Sequence, residues 1–376
     1  MKICHITTTI DGASGVATFV RELDASLRSR GVDSRVAVDV STITSFPNSS
    51  TPPLLHFDLI HIHGLWLKMY HQAAQWAKAN GIPVVWSTHG MTAPWSMHHK
   101  WWKKLPAWLL YQKRDVKSAA AIHCTTPQEV EWNNALGFTN CFIAPLGTRL
   151  PPSVGVSSSS SRSDEKFHSP TPTHNSNYTH TLLFVGRIYP VKGLVNLIKA
   201  WAIVNSQNRA IPLYRYNSNL QLSPHWHLRI VGPDEAGHQA ELESLVRELK
   251  LGDSVEFAGP KFGDELSAEY DNCDCLVLPS FTENFGATVV DALAHGKPCI
   301  ASTFTPWREL QDNGCGWWVS NEPEKLAAAI SEMMSLDDAT RRVMGEKGRR
   351  LVEAKYTWSA VADTMIEKYK EICHGG

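Results

Sequence analysis

The sequence predicts an α/β protein with two open parallel sheets, one in each half of the chain. Short apolar strands alternate with amphipathic helices in both halves, and a stretch rich in Ser, Thr and Pro separates them. The 376 residues also exceed what one hydrophobic core usually covers. We therefore expect two domains that face each other across a cleft, with ligand-binding loops at the carboxyl ends of their strands.

The first domain, at residues 1–151, contains six predicted strands. A helix from Gly15 to Ser29, closed by Gly31, follows the first strand. The strands are Ile3 to Thr8, Ser34 to Val40, Asp58 to His63, Pro83 to Thr88, Ala119 to Thr125 and Cys141 to Pro145.

Residues 152–180 break this alternation, because they include unbroken serine from Ser157 to Ser161 and almost nothing apolar to bury. We interpret them as a linker or disordered insertion. The second domain, at residues 181–355, repeats the strand and helix alternation, and residues 356–376 form a helix predicted to return to the first domain. The predicted strands of the second domain are Thr181 to Val185, His227 to Val231, Val255 to Ala258, Cys275 to Pro279, Pro298 to Ala301 and Gly316 to Val319.

Composition excludes several classes of protein. The formal net charge of −1 gives no general attraction to nucleic acid, so any charged contact must be local. The eight cysteines are scattered, and none forms a C-x-x-C motif, which suggests free thiols in a reducing compartment. No apolar run approaches the ~20 residues that a membrane span needs. We expect a cytoplasmic protein, either free in the cytoplasm or peripheral on the inner face of the plasma membrane.

Two cations follow the first strand of the second domain. Arg187 and Lys192 lie beside Gly186 and Gly193, where they would project into the cleft. Fixed cations next to flexible glycine suit a diphosphate, and they stabilise a departing diphosphate without a metal. The alternative is a pair of ordinary exposed surface cations.

A second motif begins at Glu283, continues through Asn284, Phe285 and Gly286, and includes Asp291. It places one carboxylate on a loop and another one turn into a helix, an arrangement that suits sugar hydroxyls. Taken singly, Asp291 could be a helix-dipole acid and Glu283 a solvated loop acid. The combination favours a sugar-nucleotide site.

The loop from Asp11 to Gly15 joins the first strand to the first helix and could meet an anion through its backbone N–H groups. An ordinary βα turn explains it equally well. It lacks the G-x-G-x-x-G fingerprint, which argues against a dinucleotide-dependent oxidoreductase.

These motifs resemble those of the retaining glycosyltransferases of family 4, whose GT-B fold has two Rossmann-like domains. The resemblance rests on Val185-Gly186-Arg187 with Lys192-Gly193, and on Glu283-x7-Asp291, where the family usually has a second Glu. Ser14-Gly15-Val16 resembles the family's N-terminal Gly-Gly loop. His89 matches its histidine near the reacting sugar.

The resemblance implies a role for each residue. Arg187 and Lys192 would bind the donor diphosphate, Glu283 would contact the donor sugar, and Asp291 would hold the ribose. Main-chain N–H groups around Phe285 and Gly286 would approach sugar and phosphate, and His89 would orient a hydroxyl. His89 could instead be satisfied by backbone at a strand end. His61 and His63 share a strand face but lack an identifiable third ligand, so we predict no metal and no cofactor.

Tryptophan and lysine interleave in the segment from Trp95 to Arg114. Trp101, Trp102, Lys103 and Lys104 have the composition of an interfacial element that meets anionic lipid. A buried helix with one basic face is the alternative, and nucleic-acid stacking is disfavoured by the neutral net charge.

The sequence therefore predicts a metal-independent, retaining transferase that moves a sugar from a nucleotide-sugar donor to a glycan or lipid-linked glycan, as in bacterial surface polysaccharide assembly. The alternative is a non-catalytic protein of the same fold that binds a sugar nucleotide or a lipid surface. Turnover of the donor distinguishes the two.

Overall fold

The computed structural model describes residues 1–10, 15–39, 57–151, 180–209 and 226–375. Contacts divide the chain into two compact units, Met1–Thr148 with Glu353–Gly376, and Arg149–Val352. The linker predicted at 152–180 lies outside the described residues except for His180, which begins a strand. The final segment groups with the first unit from residue 353, where the sequence places the boundary at 356.

The first unit is built on a six-stranded sheet in the order β2-β1-β3-β4-β5-β6. Every neighbouring pair is parallel, as the sequence predicts. The chain runs outward from β1 to β2 and then continues on the other side of β1 with β3, so the strand order reverses between β1 and β3. The strands are β1 (Lys2–Ile6), β2 (Asp33–Ala37), β3 (Leu59–His63), β4 (Val84–Ser87), β5 (Ala121–Cys124) and β6 (Cys141–Ile143).

The second unit repeats this plan with the order β12-β11-β10-β7-β8-β9, again with parallel pairing throughout. Here the order reverses between β7 and β10. Ligands of open α/β sheets bind outside the carboxyl ends of the strands at such a reversal. The strands are β7 (His180–Val185), β8 (Trp226–Val231), β9 (Val255–Gly259), β10 (Cys275–Leu278), β11 (Cys299–Ser302) and β12 (Gly316–Val319).

Helices connect the strands in both units. Those before residue 149 are α1 (Gly15–Ser29), α2 (Lys68–Ala79), α3 (Pro94–His98), α4 (Trp101–Ala107), a π-helical turn (Trp108–Gln112), α5 (Lys113–Lys117) and α6 (Pro127–Ala135). Those that follow are α7 (Leu194–Arg209), α8 (His238–Glu248), α9 (Gly263–Asn272), α10 (Ala287–Ala294), α11 (Glu309–Asp312), α12 (Pro323–Ser335), α13 (Asp338–Lys355) and α14 (Trp358–His374). Among the described residues, no helix combines the length and apolar character needed to span a bilayer.

Strands β3, β5, β8, β10 and β11 are buried at every position, which is typical of parallel sheets covered on both faces. Such strands read as continuous apolar runs, and this is why they could be located from the sequence. The exceptions to these apolar runs are buried polar residues whose side chains have a specific partner. In β8, for example, the buried guanidinium of Arg229 forms two hydrogen bonds with Glu269, at 2.6 and 2.7 Å.

The last helix, α14, completes the core of the first unit. Thr357 caps it by accepting a hydrogen bond from the backbone N–H of Ala360 at 3.1 Å. A Cβ on Gly147 would lie 2.5 Å from the Trp358 ring, so glycine is needed where this helix meets the chain after β6. The residues that α14 buries share one face, and they are Trp358, Val361, Ala362, Met365 and Tyr369.

A layer of polar side chains lies buried between this helix and the first sheet. The Tyr369 hydroxyl contacts His61 Nδ1 at 2.6 Å, and His61 Nε2 contacts the Ser87 hydroxyl at 2.7 Å. Ser87 in turn contacts His123 Nδ1 at 2.7 Å, and His123 Nε2 donates to the Ala144 carbonyl at 2.8 Å. Every member of this series has a partner, which offsets the cost of burying it.

A second series joins His5 Nδ1 to His63 Nε2 at 2.9 Å, and His63 Nδ1 to His89 Nε2 at 3.1 Å. Burial lowers the pKa of His5 to about 3 and holds the pKa values of His61 and His63 well below the ordinary 6.5. Burial also lowers the pKa of His123. These imidazoles are therefore neutral in the folded unit near pH 7.

Lowering the pH from 7 to 5 is expected to destabilise the first unit. Because the buried imidazoles have pKa values below the 6.5 of a free histidine, the unfolded chain binds more protons in this range. Each histidine that stays neutral in the folded unit therefore removes up to about 1.4 kcal/mol of stability per pH unit below that value. Hydrogen exchange of the β1 and β3 amides at several pH values measures the effect.

The variant His5→Gln tests this assignment, because it removes one of the buried imidazoles. Its slope of stability against pH should be smaller than that of the wild type. The same slope in both proteins would contradict the assignment of His5 as a buried neutral histidine.

Candidate functional site

The first predicted cation, Arg187, lies on the loop that follows β7. A Cβ on Gly232 would lie 1.8 Å from the Gly186 carbonyl oxygen, so glycine allows the ends of β7 and β8 to approach closely. The Arg187 side chain is 58% exposed and pairs with Glu235. It is thus a surface cation with a carboxylate partner, in a position open to solvent. No sequence motif predicted Glu235 as its partner.

The second cation, Lys192, ends a 3₁₀ turn at Pro190–Lys192 and is followed by Gly193 in the left-handed conformation, with φ of 71°. A Cβ on Gly193 would lie 2.1 Å from the Pro279 carbonyl oxygen. The backbone N–H of Phe281 donates to the Val191 carbonyl at 2.8 Å. The loop after β7 therefore packs directly against the loop after β10.

This packing brings Lys192 to Glu283. The Lys192 amine lies 2.5 Å from Glu283 Oε1, and the Ser280 hydroxyl donates to the same oxygen at 2.7 Å. Both charged side chains are largely buried, with 16% and 13% of their area exposed. Partial burial strengthens the attraction relative to an exposed pair. Lys192, assigned to the donor diphosphate, and Glu283, assigned to the donor sugar, are thus in direct contact.

The rest of the second motif turns sharply into α10. Gly286 has a φ of 80°, and a Cβ there would lie 2.9 Å from Trp307 Nε1. The Trp307 indole donates to the Phe285 carbonyl at 2.6 Å, and the two rings pack edge to face at 5.3 Å. Trp307 therefore fixes the backbone that precedes the α10 N-terminus, a role the sequence did not reveal.

Asp291 lies one turn into α10, as predicted, and is half-buried. Burial, followed by the negative charge of Asp291, raises the pKa of Tyr270 well above its ordinary value. Asn284 is half-buried between Glu283 and Phe285. The second unit thus holds all the predicted donor-binding residues except Gly15, with a direct side-chain contact between Lys192 and Glu283.

The remaining predicted residues lie in the first unit. Gly15 begins α1, whereas the loop residues 11–14 lie outside the described residues. His89 follows β4 in the left-handed conformation, with φ of 48°, and its ring contacts His63. Burial lowers the pKa of His89 to about 4, against the opposing effect of the Glu129 carboxylate. His89 is therefore a neutral hydrogen-bonding group near pH 7. The sequence left open that a backbone group forms the hydrogen bond of His89. Its Nε2 instead contacts a side chain, because it lies 3.1 Å from His63 Nδ1.

Glu129 is a residue that sequence reasoning missed. Its Oε1 accepts from the Thr88 hydroxyl at 2.8 Å and from the Gly90 N–H at 2.6 Å, on either side of His89. Its Oε2 accepts from the Thr125 N–H at 2.7 Å. The signal was present, because Thr126 and Glu129 have capping-box spacing and Thr126 accepts from the Glu129 N–H at 3.2 Å.

The histidines also bear on metal binding. The sequence leaves His61 and His63 without a third ligand, and the structure adds His5, so that one nitrogen of each lies within 4.8 Å of the others. Both nitrogens of His61 already contact Tyr369 and Ser87, and both of His63 contact His5 and His89. An ion there would have to displace these hydrogen bonds, so the residues fit a hydrogen-bonded cluster better than a metal centre. The expectation of no metal stays a prediction.

The segment rich in tryptophan and lysine forms an apolar surface in the first unit. Trp101 and Trp102 are 54% and 59% exposed, and Leu109 and Leu110 are each 73% exposed. Lys103 is also exposed. These residues, which we call the Trp/Leu surface, do not match the alternative of a buried helix.

Lys104 was predicted to lie on this exposed surface, and the structure corrects that prediction. It is half-buried, its amine donates to the Ser96 carbonyl, and it lies 5.3 Å from the centre of the Trp66 ring. Burial lowers its pKa. Successive residues of a helix point in different directions, so Lys104 points inward while Lys103, its neighbour in the helix, and Lys100, which precedes the helix, remain at the surface.

Two family models match the chain. The model for glycosyl transferases group 1 matches residues 170–351, and the model for a glycosyl transferase 4-like domain matches residues 53–145. The first covers most of the second unit, including every predicted donor-binding residue except Gly15. The second covers β3 to β6 of the first unit and includes His89.

Two curated relatives carry the same description. A D-inositol 3-phosphate glycosyltransferase of Stackebrandtia nassauensis is 30% identical over 192 residues, which cover 50% of this chain and 40% of that protein. Another of the same description, from an Arthrobacter species, is 25% identical over 408 aligned positions that cover 95% of this chain and 90% of its own. The matched region thus spans less than half of the Stackebrandtia protein.

Solved structures share the fold. Sucrose-phosphate synthase from Thermosynechococcus elongatus has a TM-score of 0.69 at 20% identity, with all of both chains covered. HepE of Anabaena, in complex with UDP-glucose, has a TM-score of 0.68 at 16% identity and covers 99% of this chain and 100% of its own. WaaG, described as a glycosyltransferase involved in lipopolysaccharide biosynthesis, has a TM-score of 0.60 at 15% identity, with both chains fully covered.

The two family models match one unit each, and the structural neighbours match the arrangement of strands and helices in both. The motifs that predicted the resemblance lie within the matched regions, apart from Ser14-Gly15-Val16. The chain belongs to the glycosyltransferases of group 1 and family 4, with the GT-B fold.

Proposed function

We propose that this protein is a retaining glycosyltransferase that moves a sugar from a nucleotide-sugar donor to a glycan or lipid-linked glycan, in surface polysaccharide biosynthesis. The observation that carries the proposal is the contact of Lys192 with Glu283 at the strand reversal between β7 and β10. Family membership supports transferase chemistry.

The contact matches the shape of a sugar nucleotide. The diphosphate and the sugar of such a donor are joined by one glycosidic oxygen, so groups that bind them must lie close together. A cation and a carboxylate 2.5 Å apart meet this requirement. Lys192 would bind diphosphate oxygens by charge-assisted hydrogen bonds, and Glu283 would accept hydrogen bonds from sugar hydroxyls.

The charges suit a transfer without a protein nucleophile. The bond between the anomeric carbon and the diphosphate oxygen breaks, and the acceptor oxygen bonds to the same carbon on the same face. The acceptor's proton passes to the departing diphosphate oxygen. Arg187 and Lys192 stabilise the charge on that leaving group, so we propose that the protein needs no metal or cofactor for this step. Neutral His89 would orient a sugar or acceptor hydroxyl by a hydrogen bond.

The names of similar proteins guide the choice of substrates to test. HepE has been solved with UDP and with UDP-glucose, so uridine diphosphate sugars are the first donors to test. The relatives from Stackebrandtia nassauensis and from an Arthrobacter species are described as D-inositol 3-phosphate glycosyltransferases, and WaaG is described as involved in lipopolysaccharide biosynthesis. We favour a lipid-linked glycan acceptor because of the Trp/Leu surface.

That surface suits an anionic membrane. Indole rings favour the headgroup region, exposed leucines favour the acyl boundary, and Lys100, Lys103, Lys113 and Arg114 are exposed beside them. We therefore propose peripheral binding through the first unit, which would bring the protein to a lipid-linked acceptor. Because the formal net charge of the whole chain is only −1, this attraction is local.

Removing either cation should weaken nucleotide binding. Arg187→Ala and Lys192→Ala each delete a charge-assisted contact worth about 1.5 to 3 kcal/mol, so the affinity for a nucleoside diphosphate should fall by about tenfold or more. Isothermal titration calorimetry with UDP measures the change, and chemical unfolding checks that each variant is folded.

Lys261 is the matched control, since it lies in the same unit and pairs with Glu265 four residues on. Lys261→Ala should keep the wild-type affinity. Unchanged affinity in both Arg187→Ala and Lys192→Ala would remove the diphosphate assignment.

The two carboxylates should have separable effects. Glu283→Gln keeps the size of the side chain, loses the charge at the sugar and releases Lys192, so it should lower transfer strongly while UDP binds as well as before or better. Asp291→Ala should weaken UDP binding and transfer together. Steady-state kinetics with calorimetry on the same variants distinguishes these outcomes.

Equal losses of UDP affinity in Glu283→Gln and Asp291→Ala would contradict this division of roles. Sugar-nucleotide binding without hydrolysis or transfer by the wild type would instead support the non-catalytic alternative.

Vesicles test the Trp/Leu surface. The wild type should bind vesicles that contain anionic lipid, and salt should weaken this binding. Lys100→Glu with Lys103→Glu should release the protein, because each lost cation costs on the order of 1 kcal/mol. Co-sedimentation measures the bound fraction.

The control variant is Lys78→Glu, which changes an exposed cation on α2 of the same unit. It should bind vesicles like the wild type. A wild type that ignores anionic vesicles at low salt would refute the membrane proposal, and the transferase proposal would stand.

A further inference from the structure

Histidines line the strand reversal of the first sheet. In the parallel register His5 of β1 lies beside His61 of β3, and His63 lies two residues on, so it shares a sheet face with His61. His63 is next to Ser87 of β4, and the loop after β4 carries His89. The first sheet therefore has its buried imidazoles where its ligand-binding loops begin.

The series that ends at Ala144 has fixed proton positions. A carbonyl oxygen only accepts, so His123 donates to it from Nε2 and must accept at Nδ1 from the Ser87 hydroxyl. Ser87 then accepts from His61 Nε2, and His61 Nδ1 accepts from the Tyr369 hydroxyl. All the polar atoms are used, so this series is closed and offers nothing to a ligand.

The series of His5, His63 and His89 is open at one end. Its ring planes lie within 30° and 25° of each other, and the ring centres are 5.1 and 5.4 Å apart. These values, with nitrogen separations of 2.9 and 3.1 Å, describe in-plane N–H···N bonds between successive rings. The two terminal nitrogens are His5 Nε2 and His89 Nδ1.

The buried end decides where the protons lie. His5 Nε2 is buried and has no hydrogen-bond partner among the described residues. An orphaned buried N–H is rarer than an orphaned acceptor, so the His5 proton belongs on Nδ1, from which it donates to His63 Nε2. His63 then donates from Nδ1 to His89 Nε2. A neutral His89 must carry its own proton on Nδ1.

The backbone also holds His89 in place. Its left-handed conformation is unfavourable for a residue with a Cβ and persists only where the surroundings enforce it. The Glu129 carboxylate supplies that constraint by binding Thr88 and Gly90 on either side. His89 is thus held through both its backbone neighbours and its ring.

We propose that His63, backed by His5, is a positioning residue that fixes the ring of His89 and keeps its proton on Nδ1. His89 then offers an N–H donor to a sugar or acceptor oxygen. This role in transfer rests on the proposed function, whereas the arrangement of protons does not.

Nitrogen-15 NMR of histidine-labelled protein tests the assignment directly. In the wild type, His89 should show a protonated Nδ1 and an unprotonated Nε2. His63→Leu, which removes the donor, should shift His89 toward the Nε2-protonated form. His63→Asn keeps a side-chain N–H near the position of Nδ1, so it should restore the wild-type pattern.

Transfer assays on the same variants test the consequence. We expect kcat to fall by about tenfold or more in His63→Leu, with the KM for donor little changed and with recovery in His63→Asn. A wild-type His89 protonated on Nε2 would overturn the proposal, and this measurement needs no variant to fold. A His63→Leu protein that retains both the wild-type tautomer of His89 and the wild-type kcat would also overturn the proposal. Undiminished transfer by His89→Ala would instead contradict the role of His89 in the proposed function and leave the proton assignment intact.

Discussion

Two loops that are distant in the chain are held against each other at the carboxyl ends of β7 and β10, and the candidate site depends on that close packing. The missing side chain of Gly193 allows the contact with Pro279, and a backbone hydrogen bond from Phe281 fixes it. Any Cβ at residue 193 would push the loops apart. Because β7 and β10 are neighbours in the sheet, Lys192 and Glu283 meet although 91 positions separate them.

The strands of the described residues could be located from the sequence, because those inside each sheet are largely apolar runs bounded by turn residues. Their order in each sheet could not, since periodicity carries no information on which strands pair. This is why the contact between Lys192 and Glu283 and the place of His5 beside His61 appeared only in the structure. The motifs marked Lys192 and Glu283 as candidates, and the assignment of the site residues stays a prediction. The partner of Arg187 is Glu235, a carboxylate on another loop with no motif around it.

Lys104 shows a different limit of sequence reasoning. Tryptophan and lysine alternate through this segment, and composition alone treats neighbouring lysines alike. Helical geometry separates them, because Lys103 faces outward and Lys104 turns toward Trp66 and Ser96.

The buried polar layer of the first sheet is a similar case. Its histidines lie in strands whose other residues are apolar. Their burial is tolerated because nearly every ring nitrogen has a hydrogen-bond partner, and these partners are known only from the structure.

The placement of α14 has a consequence for how the protein is made. Its tyrosine, Tyr369, completes the hydrogen bonding of His61, and its apolar face covers the first sheet. The strands of the first sheet are translated before the helix that covers them, because residues 149–352 lie between the two in the chain. Residues 149–352 carry their own core and are complete before then. The second unit is thus able to fold first, while the nascent first sheet waits with an exposed face that a chaperone could shield.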